Sequence, residues 1–146
     1  MVDAKESTAV READKRLVAK DVLRVFDDAD KGELTALHDF DLEAEHGEIV
    51  ALIGPSGCGK STFLRLVAGL DKAQGGTIEY GGEPIKGPSY NRGFVFQETN
   101  LYPWLTVEKN IAFGLKARGV YKQQKHRVQE MIDLMGLSGF EKSYPH

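Results

Sequence analysis

The first third of the chain alternates between apolar and polar positions in a way that is typical of β-strands. Apolar residues recur at short spacing over residues 17–26, and residues 40–44 alternate between apolar and acidic side chains. Such alternation predicts strands with one buried face. Residues 49–53 form a continuous apolar run, which predicts that residues 48–53 are a strand buried on both faces. Residues 1–16 are polar and charged, and they predict a frayed or weakly helical lead-in to the domain.

The rest of the chain predicts helices separated by short strands. The predicted elements are a helix over Lys60–Ala68, strands over Thr77–Tyr80 and Arg92–Gln97, a helix from Thr106 to about Arg118, and a helix from about Lys122 to Met135. Gly69 is the expected C-cap of the first helix and Thr106 the N-cap of the second. In the last helix, Val128, Ile132 and Met135 lie on one face and predict its buried side. The order of elements is that of an α/β domain with an antiparallel β part.

Length and composition fit one ordinary globular domain. The chain has 146 residues, of which 41% are hydrophobic and 28% are charged, and its net charge is −3. The near balance of charge argues against a nucleic-acid partner, because such proteins carry basic surfaces. No apolar run is long enough to span a bilayer, and no secretory signal is visible at the start. The single cysteine cannot form an internal disulfide, so a reducing compartment fits best.

A glycine-rich loop between the doubly buried strand and the first helix is the strongest chemical signal. It matches G-x-x-x-x-G-K-[ST] at every fixed position and consists of Gly54, Pro55, Ser56, Gly57, Cys58, Gly59, Lys60 and Ser61. A strand before the loop and an amphipathic helix after it are the context that phosphate binding requires. Cys58 stands at a variable position of the motif, where any small residue fits.

The glycines of this loop have a physical role. Gly54, Gly57 and Gly59 are expected to permit positive φ and to let the backbone approach phosphate oxygens closely. The exposed N–H groups then form an anion-binding nest at the positive end of the helix. A glycine-rich turn that only caps a helix is the competing structural interpretation.

The polar side chains at the end of the loop complete a nucleotide site. Lys60 is expected to place its charge on the β- and γ-phosphates, and the Ser61 hydroxyl to coordinate Mg²⁺. Thr62 is expected to reach the α-phosphate side. The predicted ligand is therefore a nucleoside triphosphate with its magnesium ion.

Residues 54–70, GPSGCGKSTFLRLVAGL, resemble the phosphate loop of ATP-binding-cassette (ABC) transporter ATPases. Residues 36–62 resemble that family's β subdomain leading into the Walker A loop, and residues 92–115 resemble its Q-loop and the start of its helical subdomain. The whole resemblance covers residues 17–146. It implies a P-loop NTPase fold of the α/β class, with an antiparallel β subdomain and the start of a helical subdomain, and ATP and Mg²⁺ as ligands.

Two further site residues follow from the resemblance. Phe26 matches the position at which the family stacks an aromatic ring on adenine; a core phenylalanine at a strand end is the alternative. Gln97 matches the Q-loop glutamine, which contacts Mg²⁺ or the attacking water and senses the membrane partner; a polar strand-end residue is the alternative. The resemblance implies catalytic roles for Lys60 and Gln97 and metal ligation by Ser61 and Gln97.

The resemblance also implies partners and a location. Pro103-Trp104-Leu105-Thr106-Val107 is most similar to the nitrate, sulfonate and taurine importer branch. Leu101–Val107 would face the membrane permease, with Trp104 in the docking surface or in a packing role. A second copy of the ATPase would complete the catalytic site. The expected location is peripheral, on the cytoplasmic face of the inner membrane.

The sequence lacks several motifs of the family. Residues 144–146 resemble those just before the LSGGQ-type signature, and the signature, the Walker B segment and the switch histidine are not present. We therefore expect a truncated cassette that hydrolyses ATP negligibly by itself, because hydrolysis needs a water-positioning base and a further anchor for Mg²⁺.

Three interpretations of function remain at this point. The first is the ATPase subunit of an importer, coupling ATP binding and hydrolysis to solute uptake. The second is a non-catalytic nucleotide-binding fragment. The third is a small P-loop kinase, whose loop can have a similar sequence; such kinases usually begin at the phosphate loop, whereas 53 residues precede it here.

Overall fold

A computed structural model describes residues 15–28, 32–98 and 100–146 of the chain. The chain divides into two compact units, Met1–Val95 and Phe96–His146. Residues 1–14 of the predicted lead-in lie outside the described residues. No helix within the described ranges is long and apolar enough to cross a membrane.

The first unit is built on a four-stranded antiparallel sheet. Its strands are β1 (Leu17–Asp28), β2 (Gly32–Ala44), β3 (Gly75–Tyr80) and β4 (Glu83–Pro84), in the order β2-β1-β3-β4. The predicted strands in these regions are confirmed. β1 lies between β2 and β3, so its backbone is paired on both edges.

One helix, α1 (Lys60–Ala68), packs against this sheet. Phe63 and Leu66 of α1 are buried with Ala19, Val22, Leu37 and Ile78 of the sheet. The ring of Phe63 lies 4.7 Å from that of Phe40, measured between centroids. Gly69 ends the helix with a φ of +75°, and its N–H donates to the carbonyls of Arg65 and Leu66, so the predicted C-cap is confirmed.

Two predicted strands are wrong for this structure. Neither residues 48–53 nor residues 92–97 form a strand, and the side chains of Ile49, Ile53 and Val95 are 96%, 93% and 95% exposed. A strand buried on both faces requires hydrogen-bonded neighbours and covering layers. The described part of the chain supplies neither to these segments, so the sheet seen here is antiparallel throughout.

The second unit is helical. It contains α2 (Val107–Ala117), α3 (Tyr121–Gln124) and α4 (His126–Leu134). Thr106 is the N-cap of α2, as predicted, since its Oγ1 accepts from the Lys109 N–H at 3.4 Å. Val128 and Ile132 are buried against Ala112, which confirms two of the three residues predicted for the buried face.

The last predicted helix differs from the observed one in two respects. It is divided into α3 and α4, because the Val128 N–H bonds to the Lys125 carbonyl three residues earlier and tightens the turn. Met135 is 57% exposed and lies beyond the end of α4, so its predicted burial is wrong. Gly136 follows with a φ of +67°, which ends the helical segment.

Candidate nucleotide-binding site

The phosphate loop lies directly before α1, and two of its glycines have backbone angles that favour glycine. Gly57 has a φ of +81° and Gly59 a φ of +90°. Gly54 is not among the residues with positive φ, so that part of the prediction is wrong. Its role is steric instead, because a Cβ at Gly54 would lie 2.8 Å from the Cys58 sulfur.

Gly59 also permits a close approach between the loop and β2. A Cβ at this position would lie 2.4 Å from the carbonyl oxygen of Ala36 and 2.9 Å from Cδ2 of Leu37. The sheet and the start of α1 are therefore in direct backbone contact at this point. The contact lies at Gly59, the N-cap residue of α1.

The N-terminus of α1 carries no compensating negative charge from the helix itself. Gly59 makes no side-chain cap bond, and the first turn contains no acidic residue. The helix dipole therefore leaves partial positive charge at this end. Ser61 is exposed in the first turn, while Thr62 is half-buried. A phosphate group is the kind of ligand that this arrangement favours.

Lys60 folds back over the loop. Its Nζ donates to the Gly54 carbonyl at 2.8 Å and to the Pro55 carbonyl at 2.6 Å, and it lies 3.3 Å from the Cys58 sulfur. These acceptors are two neutral carbonyls and a thiol, so the positive charge is solvated but not neutralised by them. A phosphate oxygen would make a stronger, charge-assisted bond to the same ammonium group.

A cavity of about 300 Å³ lies behind the loop. Apolar side chains such as Leu37, Phe40 and Phe63 line it together with Gly59 and Lys60 of the loop itself. Pro55, Ser56 and Ser61 are exposed, so this part of the loop is accessible to a phosphate group.

Phe26 lies near the end of β1 and is half-buried. One face of its ring is covered by a guanidinium group, since the Cζ of Arg24 is 4.4 Å from the ring centroid. Arg24 in turn forms an ion pair with Asp71, with Nη2 to Oδ1 at 3.0 Å. The sequence did not indicate a role for Arg24 or Asp71. Arg24 and Phe26 are two positions apart, which puts both side chains on one face of a strand, and this spacing could have suggested their contact.

The remaining predicted residues belong to the second unit. Gln97 is exposed and is not part of a strand. Trp104 is 69% exposed and its ring centroid lies 5.4 Å from that of Tyr102. The side chain of Asn110 organises this segment by four hydrogen bonds to the backbone of Tyr102, Leu105 and Thr106.

The structure also tests the isolated residues that could have formed other sites. His38, His46 and His126 are isolated in the sequence and exposed in the structure. Within the described ranges, no group of three or more His, Cys, Asp or Glu residues could hold a metal ion. A metal here would depend on hydroxyl, amide and phosphate oxygens, which are the ligands that Mg²⁺ prefers.

Comparison with known proteins gives consistent relatives. The chain matches the ABC transporter family over residues 37–146. It is 49% identical over 114 residues to "Aliphatic sulfonates import ATP-binding protein SsuB" of Bacillus thuringiensis subsp. konkukian, covering 78% of this chain and 45% of the relative. It is 46% identical over 117 residues to "Taurine import ATP-binding protein TauB" of Escherichia coli O6:K15:H31, covering 80% and 46%. The chain thus spans about half the length of these curated relatives.

A solved structure has the same fold. The ATP-binding cassette MJ0796, determined as a dimer in a post-hydrolysis state bound to ADP and Pi, aligns with a TM-score of 0.73 at 27% identity. The alignment covers 88% of this chain and 61% of that one. The expected P-loop fold is thereby confirmed, and the small-kinase alternative finds no support. Because its family match extends over most of its length and its phosphate loop precedes α1 as in a nucleotide-binding cassette, the chain belongs to the ABC transporter family of ATP-binding proteins.

Proposed function

We propose that this chain is the nucleotide-binding part of an ABC importer subunit, which couples ATP binding and hydrolysis to the uptake of small oxyanionic solutes such as sulfonates, taurine or nitrate. The observation that carries the proposal is the phosphate loop, whose helix N-terminus lacks a side-chain cap and acidic residues and whose Lys60 has neutral acceptors. The names of the similar SsuB and TauB proteins support the sulfonate and taurine branch.

ATP would lie with its phosphates on the outer surface of the loop. The N–H groups of residues 57–62 and the Lys60 ammonium would hold the β- and γ-phosphates, with Thr62 on the α-phosphate side. The half-buried Phe26 would stack on adenine. Bound Mg²⁺ would neutralise the phosphates, held by the Ser61 hydroxyl and by Gln97; the exposed hydroxyl and the amide are oxygen donors of the kind that fit this ion.

Partner binding is proposed at the second unit. Leu101 and Trp104 are 54% and 69% exposed on a segment that Asn110 holds in one conformation. Exposed aromatic and aliphatic groups on a rigid loop suit docking onto the cytoplasmic end of a membrane permease, which would place the subunit peripherally on the inner membrane. A second copy would face the nucleotide, consistent with the dimeric MJ0796 cassette.

The binding experiment compares ATP affinity of the wild type, Lys60→Ala and Lys122→Ala by calorimetry with Mg²⁺. Loss of the charge-assisted bonds should weaken binding about 10- to 100-fold in Lys60→Ala. Lys122 is exposed on α3, so its substitution removes the same charge from the other unit and should leave affinity unchanged. Equal affinity in all three proteins would refute the phosphate-loop assignment.

A second experiment addresses turnover. We propose that the 146-residue chain binds ATP but releases phosphate no faster than Lys60→Ala, because the described residues after Gln97 form no strand that could carry a carboxylate to position the attacking water. This is the non-catalytic alternative applied to the chain by itself. Phosphate release well above that of Lys60→Ala would contradict it, and restored solute uptake in a transport-deficient strain would do the same.

A further inference from the structure

The nucleotide site has a third participant besides the phosphate loop and Phe26. We propose that Arg24, anchored by Asp71, is a positioning residue that holds the Phe26 ring for stacking on the adenine base. This inference rests on the proposed function, because it concerns how the same site recognises the base of ATP.

The geometry around the Phe26 ring supports this role of Arg24. The guanidinium carbon of Arg24 lies 4.4 Å from the centroid of Phe26, within the range of a cation–π contact. Phe26 is half-buried, so part of its ring remains accessible while Arg24 covers one face. A planar cation on one face restrains the ring and withdraws electron density from it, which favours stacking of an electron-rich purine on the other face.

Arg24 is itself held in place. Its Nη2 lies 3.0 Å from Oδ1 and 3.2 Å from Oδ2 of Asp71, and both side chains are only 20% exposed. Its Nε is buried without a hydrogen-bond partner in the described part of the chain. The Arg24 guanidinium therefore contacts both the Asp71 carboxylate and the Phe26 ring while its Nε leaves one hydrogen bond unmade. A buried donor without a partner costs free energy, so the other contacts must hold the group in this position.

Asp71 lies just after the helix that carries the phosphate loop. It follows Gly69, the C-cap of α1, and α1 carries the phosphate loop at its other end. Gln74, three residues later, donates its N–H to the Leu23 carbonyl, and its Oε1 accepts from the Val25 N–H. The segment after α1 is therefore fastened to β1 on both sides of Arg24. The ion pair connects the base-stacking strand to the phosphate-binding helix.

The test compares a ligand that has a base with one that has none. Binding of Mg-ATP and of magnesium tripolyphosphate is measured for full-length wild type, Arg24→Met and Arg24→Lys. Arg24→Met should weaken ATP about three- to tenfold while tripolyphosphate changes less than about twofold. Arg24→Lys keeps a cation near the ring and should recover part of the loss.

Two further proteins make the result specific. Lys20→Met removes a cation from the same strand, one that is 62% exposed and paired only loosely with Glu43 at 3.9 Å, and should bind both ligands as wild type does. In a Phe26→Leu background, Arg24→Met should have no additional effect on ATP, because the group through which it acts is gone.

The outcomes separate the two proposals. If the wild type binds neither ligand, the proposed function fails. If both ligands bind but Arg24→Met weakens them equally, or weakens neither, the phosphate loop stands and the positioning role of Arg24 is overturned. An undiminished effect of Arg24→Met in the Phe26→Leu background would also overturn it.

Discussion

At the scale of single residues, Gly57 and Gly59 show how one loop uses glycine for two different reasons. Both have a positive φ, which is strained for any residue with a Cβ. Only Gly59 also meets neighbouring atoms, with the Ala36 carbonyl 2.4 Å from the position of a Cβ, whereas nothing lies within 4 Å at Gly57. The two positions therefore separate backbone strain from steric overlap.

This difference gives a prediction about stability. Gly57→Ala should lower the free energy of unfolding by about 1–2 kcal/mol, the cost of the left-handed conformation. Gly59→Ala adds overlap with the β2 backbone, so its loss should reach about 2–5 kcal/mol. Urea unfolding of the two variants and the wild type measures both values. Similar losses in the two variants would mean that β2 and the loop are not in contact.

The sequence identified the phosphate loop because its chemistry is local. The eight-residue motif at residues 54–61, which ends in Gly59-Lys60-Ser61, is enough to define an anion-binding site before a helix. The contact of Arg24 with Asp71 could not be found in the same way, because 47 residues separate them and the pair exists only after α1 has packed on the sheet. The prediction for Gly54 was wrong because the motif shows that a glycine is required but not why. Here the glycine leaves space for the Cys58 sulfur and does not have a positive φ.

At the scale of elements, the segment before α2 is held by one side chain. Asn110 accepts from the Tyr102 N–H at 2.9 Å and donates to the carbonyls of Tyr102, Leu105 and Thr106. Tyr102 also packs on Phe113, with 4.5 Å between ring centroids. A loop with so many internal bonds presents its exposed residues in a fixed arrangement.

Replacing Asn110 should therefore loosen this loop. Asn110→Ala leaves the Tyr102 N–H and the Leu105 carbonyl without this partner, whereas the Tyr102 and Thr106 carbonyls keep their bonds from the Leu105 and Asn110 backbone N–H groups. The loss should cost about 2–4 kcal/mol of unfolding free energy. Asn110→Asp keeps the acceptor but loses the donors, so it should destabilise to a similar extent. Trp104 is the only tryptophan, and its fluorescence reports both unfolding and the change in its surroundings.

Asn100→Ala is the matched control for this prediction. The Asn100 side chain is exposed and, within the described part of the chain, donates one hydrogen bond, to the Glu98 carbonyl at 3.2 Å. Its loss should change the free energy of unfolding by less than about 0.5 kcal/mol. Asn110→Ala as mild as the control would show that the loop is ordered by something other than this side chain.

A second element, the turn after α4, is fastened through Asp133. The Ser138 hydroxyl donates to Oδ1 of Asp133 at 2.6 Å, and Gln129 Nε2 donates to the same oxygen at 2.9 Å. These bonds hold the pKa of Asp133 below the usual value of an aspartate, the Ser138 bond contributing most. The stabilisation is therefore fully present above the ordinary aspartate pKa and is lost as the pH falls through the lowered folded value.

Removing the hydroxyl should shift this titration. In Ser138→Ala, the pKa of Asp133 is expected to rise toward its usual value, because the charged form loses its strongest hydrogen bond. Carboxyl chemical shifts followed by NMR between acid and neutral pH measure the change. Ser143→Ala is the control, since Ser143 contributes its backbone carbonyl to the Val107 N–H. An unchanged titration in Ser138→Ala would contradict the assigned cause.

At the scale of the whole chain, the sequence overestimated the sheet. Residues 48–53 have the composition of a doubly buried strand, yet Ile49 and Ile53 are almost fully exposed. A central strand is buried only when other strands pair with it and other elements cover its faces. The composition of one segment does not show whether those elements are present. The antiparallel strands β1 to β3 were predictable because each finds its partner within the first unit.

The exposed apolar side chains have a consequence for behaviour in solution. Ile49, Ile53 and Val95 all belong to the first unit and are more than nine-tenths exposed. Apolar side chains that are exposed outside any strand or helix favour association between molecules. We expect the 146-residue chain to elute above its monomer mass of 16.1 kDa and to bind the dye anilinonaphthalene sulfonate strongly.

The double variant Ile49→Ser, Ile53→Ser removes two exposed apolar side chains from residues 48–53. It should therefore lower dye fluorescence at least about twofold and shift elution toward the monomer. A matched double variant, Leu34→Ser with Leu134→Ser, removes two aliphatic side chains that are 58% and 80% exposed on regular elements, one in each unit. It should change both readouts less, because the backbone at Leu134 is bonded within α4 and that at Leu34 is paired with β1 on one side. Equal effects of the two double variants would show that total exposed apolar area governs association. A larger effect of the Ile49 and Ile53 pair would locate the association at residues 48–53, the segment that the sequence predicts as a strand and that pairs with no strand in the described part of the chain.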